Sequence, residues 1–317
     1  MDNLAHTLAG AALGEAGLKR KSGLGMATLM LAANLPDIDA LGLLVGENLA
    51  WRRGWTHGPL ALLVLPPLLV LAMTAFDKWQ ARRGTRPENR PPVRVGWLLL
   101  LAYVGIVSHP LLDFLNTYGI RCLMPFSDEW FYGDALFIVD IWMWGALALG
   151  VWLARRRARR GDRATSRPAI IALVAVAGYA GAMGLASKAA ERFVSRQVVA
   201  GGAAAPVRVV ASPVPVDPFR RSIVFDTGSA YGFGDLRWTP RPTLTLDDGL
   251  IPTNMDHPAI ARAARQDKRV ADFLYWSRLP FAAVTESGAQ TTVTIGDARY
   301  NRRPDEGRFM VRATLAD

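Results

Sequence analysis

The sequence predicts an α-helical polytopic membrane domain, a helical hairpin plus about four transmembrane helices, followed by a small β-rich extracytoplasmic domain. Three observations predict it. Apolar runs long enough to cross a hydrocarbon core, which takes roughly 20 helical residues, occur only in the first 190 of the 317 residues. Lys and Arg gather in the short connections between those runs, as they do in loops retained in the cytoplasm. Beyond residue 200 the pattern changes to short alternating and β-branched stretches punctuated by Pro, Gly and Asp, which reads as strands and turns. The expected division is 1–190 for the membrane domain, 191–205 for a linker whose end (200–205) holds only Gly and Ala, and 206–317 for the β-rich domain.

The first two apolar segments, Leu4 to Leu18 and Leu24 to Leu35, flank Lys19-Arg20-Lys21 and are too short for two full crossings. They predict a hairpin. Four longer runs follow at Gly58 to Phe76, Val95 to Leu115, Ala135 to Ala154 and Ala169 to Ser187. Pro66-Pro67 in the first of these removes two backbone donors and predicts a kink. Basic clusters fall at Lys19 to Lys21, at Lys78 to Arg94, and at Arg155, Arg156, Arg157, Arg159, Arg160, Arg163 and Arg167. Placing all of them inside sends the N-terminus, the Trp51 to His57 loop, the segment Asn116 to Asp134 and everything after Ser187 to the outer side. Arg52, Arg53 and Arg121 are exceptions to that rule. In the tail, Val207 to Val210 and Thr291 to Ile295 read as strands, and His257 to Asp272 as one helix.

Charge and composition exclude several classes. The formal charge of +10 is concentrated in those loops, facing anionic lipid, and no basic face is interleaved with aromatics for stacking bases. Membrane lipid is thus the expected partner, and nucleic acid is not. Cys122 is the sole cysteine, which excludes an intrachain disulfide and a multi-cysteine zinc site. The N-terminus lacks a basic region and a small-residue cleavage site, so no cleaved signal peptide is expected. There is no Gly-x-Ser-x-Gly nucleophile elbow.

Ionisable residues inside apolar segments are costly and mark sites. Here His6, Asp37, Asp39, His57, His109, Asp113, Asp134 and Asp140 all map to the outer end of the expected topology. His109 and Asp113 are four apart and share one helix face. Imidazole mixed with carboxylate suits zinc, manganese or iron better than the oxygen-only cages of calcium and magnesium. Each residue also has a plain structural reading. His6 could be interfacial, Asp37 and Asp39 could cap a helix, His57 could belong to a turn, and Asp134 and Asp140 could serve as a cap and a partner for Arg121. His257 reads as surface structure, and Trp142 and Trp144 as belt aromatics.

The blocks Asp2-Asn3-Leu4-Ala5-His6-Thr7-Leu8-Ala9-Gly10, Asn34-Leu35-Pro36-Asp37-Ile38-Asp39, Arg53-Gly54-Trp55-Thr56-His57 and Ser108-His109-Pro110-Leu111-Leu112-Asp113, continuing into Phe131 to Asp140, resemble the YdjM-type family of bacterial inner-membrane proteins described as metal-dependent hydrolases. The resemblance covers about residues 1–190. It implies metal ligation by His6, Asp37, Asp39, His57, His109 and Asp113, a hydrolytic activity and residence in the bacterial inner membrane.

The expected mechanism is hydrolysis of an ester or phosphoester of a lipid or envelope substrate by water activated on one or two divalent ions, zinc or manganese. Arg53 and Arg121, with Arg52, are the expected phosphate-binding cations. Asp140 is the expected general base or orienting carboxylate. Two alternatives stand beside it: a protein that translocates or senses metal or protons, and a non-catalytic, membrane-anchored binding protein of the envelope.

Overall fold

The computed structural model describes residues 1–45, 48–162, 164–288 and 290–316. Arg163, expected in the third basic cluster, lies outside the described residues. The chain divides into two compact units, Met1–Gly184 and Leu185–Asp317.

In the first unit, α1 (Asn3–Glu15) begins where the Asp2 carboxylate accepts from the Leu4 and Ala5 amides, satisfying donors that a helix start leaves open. With α2 (Gly25–Ala32) it makes the expected hairpin, which Gly10 allows to close tightly. A Cβ at Gly10 would lie 2.8 Å from the Leu29 carbonyl oxygen. A 3-10 segment (Leu35–Val45) and the short α3 (Asn48–Trp51) carry the chain to α4 (Pro59–Arg82), which continues through Pro66 and Pro67 as one helix. Next come α5 (Val95–Phe114), α6 (Ile141–Arg159) and α7 (Arg167–Ala200). Helix α5 packs on α1, α2 and α4, so a residue on it reaches several elements at once.

Among the described residues, three helices, α4, α5 and α7, are long and apolar enough to cross a membrane. The run Ala135 to Ala154, expected as a further span, is helical only from Ile141. The amides of Ala135 and Leu136 both bond to the Leu115 carbonyl, and that of Gly133 bonds to Phe114. These residues therefore satisfy the open end of α5 instead of extending α6. Asp140 then caps α6 by accepting from the Met143 amide at 2.8 Å.

The second unit is β-rich. Strands β1 (Arg208–Pro213), β2 (Arg220–Asp226), β3 (Ala230–Arg237) and β4 (Thr243–Leu246) form an antiparallel sheet in that order, with β5 (Ile251–Pro252) also on β3. After α8 (Pro258–Gln266) and α9 (Lys268–Trp276), β6 (Pro280–Ser287), β7 (Gln290–Asp297) and β8 (Met310–Ala316) make a second antiparallel sheet. The single helix expected at 257–272 is thus two, because Asp267 has extended backbone and caps α9.

Strand alternation assigns the faces of the first sheet. The pair Ala211 and Ile223 faces the end of α7, and the pair Val210 and Val224 faces Phe281 of the second sheet. Residues 191–200, expected as linker, are the last turns of α7. They stay helical because Ala190, Val194 and Val198 fall on one stripe and bury against Ala211, Ile223, Phe225 and Leu236.

Candidate metal centre

His109 and Asp113 occupy successive turns of α5 with no exposed surface. Nδ1 of His109 lies 2.7 Å from the Ala33 carbonyl oxygen at the end of α2. A carbonyl can only accept, so Nδ1 carries the proton and Nε2 presents its lone pair. His57, in the turn before α4, has Nδ1 3.5 Å from Asp39 Oδ2 and 3.0 Å from Thr56 Oγ1. The carboxylate favours the proton on Nδ1 there as well, again turning Nε2 inward.

The two Nε2 atoms are 3.0 Å apart. Lone pairs facing each other at that separation repel unless positive charge lies between them. Asp113 Oδ2 is 3.4 Å from the His57 Nε2 and 3.5 Å from the His109 Nε2, and Asp37 Oδ1 is 3.8 Å from the latter. One ligand atom from each of Asp37, His57, His109 and Asp113 falls within 4.8 Å of all the others, and the four residues are buried. This group could hold a metal ion. The donor set of two imidazole nitrogens and two carboxylate oxygens fits a divalent transition metal. Among the described residues, Asp37 Oδ2 and both ring nitrogens of His6 are buried without a hydrogen bond, and an ion held by the group of four would offset that cost at Asp37.

The other two expected ligands are differently placed. His6 stacks on the His109 ring, centroids 3.7 Å apart, with Nε2 3.4 Å from the second oxygen of Asp113; the Met1 ammonium contacts that oxygen too. Asp39 stands behind His57, where it accepts from the Arg53 amide at 2.7 Å and from Arg52 at 3.0 Å. Burial pushes the Asp39 carboxyl above its ordinary range, against the pull of Arg52 and the Arg53 amide. Burial, the His109 ring and the Arg53 and Arg52 guanidiniums push His57 well below the usual imidazole range, keeping it neutral and able to ligate.

Arg53 is part of the framework. Its backbone is in the left-handed region at φ 53°, a strained conformation for a bulky residue. This conformation accompanies the amide bond to Asp39 and a guanidinium whose Nε is 3.0 Å from Asp113 Oδ2. The same guanidinium reaches Asn116 Oδ1 at 2.9 Å and lies over the Tyr118 ring. Arg121 donates to the Ala50 and Arg52 carbonyls at 2.7 and 2.9 Å and stacks on Trp130. Both arginines are about 1% exposed. Neither is placed as the open phosphate-binding cation expected from the sequence. Arg52, whose side chain is 23% exposed, is the cation at the rim of the group.

Asp140 is occupied as the cap of α6, and its second oxygen accepts from the Tyr179 hydroxyl at 3.1 Å. The carboxylate expected to act in proton transfer thus holds bonds to α6 and α7. Asp134 is buried with φ 49°. His257 caps α8. Sequence reasoning missed Asn116, which positions Arg53, and the Ala33 carbonyl, which no side-chain pattern reveals.

A family model for the YdjM inner membrane protein matches residues 1–190. No curated protein and no solved structure matches the chain.

Proposed function

Because the chain belongs to the YdjM inner membrane protein family, we propose that it is a multi-pass protein of the bacterial inner membrane that uses its buried His and Asp group for metal-dependent hydrolysis of an ester or phosphoester. The observation that carries this reading is the pair of inward-facing imidazole nitrogens, 3.0 Å apart, flanked by Asp37 and Asp113. Zinc or manganese suits that donor set. A bound ion would supply a water acidified toward neutrality.

The chain's own residues do the rest. Asp39 and Ala33 fix the tautomers of His57 and His109. Arg53 balances the charge of Asp113. Arg52, at the rim beside exposed Trp51 and Trp55, meets the phosphate of a lipid-derived or lipid-anchored substrate at the membrane surface. Helix α6, about 28 Å long at the α-helical rise, is the fourth crossing, its arginines snorkelling to the interface. This arrangement puts the β-rich unit outside the cytoplasm.

Burial supports a second reading. A complete four-ligand set with little exposed surface also suits a closed structural ion, in a protein that senses metal or anchors an envelope-binding domain. Elemental analysis of detergent-purified protein tests both readings. About one ion per chain, lost in H109A/D113A while the helical signal persists, supports the site. Turnover of a bis-aryl phosphodiester that disappears with the ion and depends on Arg52 supports hydrolysis. A tightly held ion with no turnover favours the closed structural site, and metal-free protein after zinc or manganese loading removes both.

A further inference from the structure

An open groove lies between α1 and α6. It has a volume of about 610 Å³ and is lined by Leu8, Ala148, Val151, Trp152, Arg155, Arg156, Arg159 and Arg160. Its lining separates by chemistry along the helix. Leu8, Ala148, Val151 and Trp152 make an apolar floor, and the arginines crowd one end. Spacing explains this, since residues three and four apart share a helix face: 148, 152, 156 and 160 form one row, and 151, 155 and 159 the next.

The basic end is under-neutralised. Arg155 pairs with Glu15 at 3.0 Å, and Arg156 lies over the Trp152 ring. Among the described residues, no carboxylate forms an ion pair with Arg156, Arg159 or Arg160. Arg156, Arg159 and Arg160, exposed at the end of an apolar groove, suit an anion that also carries hydrocarbon. A soluble phosphate leaves the floor empty, whereas an anionic phospholipid supplies both a charged head group and a hydrocarbon chain.

We propose that this groove binds one anionic phospholipid, its phosphate held by Arg156, Arg159 and Arg160 and an acyl chain lying along Leu8, Ala148, Val151 and Trp152. The recognition is charge-assisted hydrogen bonding at the head group and burial of methylenes along the floor. It is independent of the metal centre, so failure of one leaves the other standing.

The test is native mass spectrometry of the full chain released from phosphatidylcholine nanodiscs doped with phosphatidylglycerol. The expected result is retention of phosphatidylglycerol over phosphatidylcholine, falling on the order of tenfold in R156Q/R159Q/R160Q. A148W, which fills the floor and leaves every arginine in place, should lower retention as well. R82Q/R83Q/R86Q removes the same charge from the end of α4 and should leave retention unchanged. Equal loss in both triple variants would reduce the effect to general surface charge and overturn the site. Full retention in A148W would overturn the acyl-chain half, and full retention in R156Q/R159Q/R160Q would overturn the proposal.

Discussion

Asp39, expected to bind metal, lies outside the group of four buried ligands and contacts His57 Nδ1 and the Arg53 amide, a placement suited to aiming His57. D39N should therefore weaken zinc binding by about 10- to 100-fold without abolishing it, measured by competition with a chromophoric chelator. Loss as complete as in H109A/D113A would return Asp39 to the ligand set. The ionisable residues themselves were legible because a charged group within an apolar run stands out. Their roles were not, since Asp37 and Asp39 are two apart and only the fold shows which one faces the histidines. The pairing of Arg53 with Asp113 joins residues far apart in sequence, and no local pattern reports it. In the β-rich unit, burial pushes the Asp297 carboxyl up, but Arg299 and the Ser277 hydroxyl outweigh it and hold it below the usual range. A depressed carboxylate contributes stability above its ordinary pKa of about 4, lost as pH falls through the lower folded value. Hydrogen exchange in β7, corrected for intrinsic rates, should accelerate on acidification. D297N should be less stable by about 3–5 kcal/mol because it takes the carboxylate away from the buried Arg299, and should lose that acid dependence.

At the scale of elements, the close approach of α2 to α5 decides whether the centre assembles. A Cβ at Gly105 would lie 2.6 Å from that of Ala32 and 2.9 Å from the Leu29 carbonyl oxygen, the small-residue contact by which membrane helices bring backbones together. G105V should separate the two helices, costing about 1–3 kcal/mol, and withdraw the Ala33 carbonyl from His109. Lower thermal stability accompanied by lost metal is the expected outcome; lost stability with metal intact would mean that α2 does not hold the ligand. Hydropathy located α4 and α5 well because their apolar runs are long and flanked by charge. It misplaced the start of α6, since hydropathy cannot tell a helical residue from one whose amide closes the preceding helix, as at Ala135 and Leu136. It also ended α7 too early, because the apolar stripe beyond Ser187 is one residue in four and reads as linker until the sheet that covers it is known.

For the whole molecule, the decisive quantity is how many times the chain crosses. With α6 as a fourth crossing, reporter fusions at residues 86, 125, 161 and 250 should read inside, outside, inside, outside. With crossings by α4, α5 and α7 alone, the helices among the described residues that meet the length and hydropathy requirement, 161 should read outside and 250 inside, and the β-rich unit would face the cytoplasm. The two patterns differ at two sites, so the assay separates them. The two histidines also differ in a way that bears on inheritance. His109 is aimed by a main-chain oxygen, which every allele of codon 33 supplies, whereas His57 is aimed by the side chain of Asp39, which a single nucleotide change can remove. Natural variation can therefore tune the centre through one imidazole while the other stays constant.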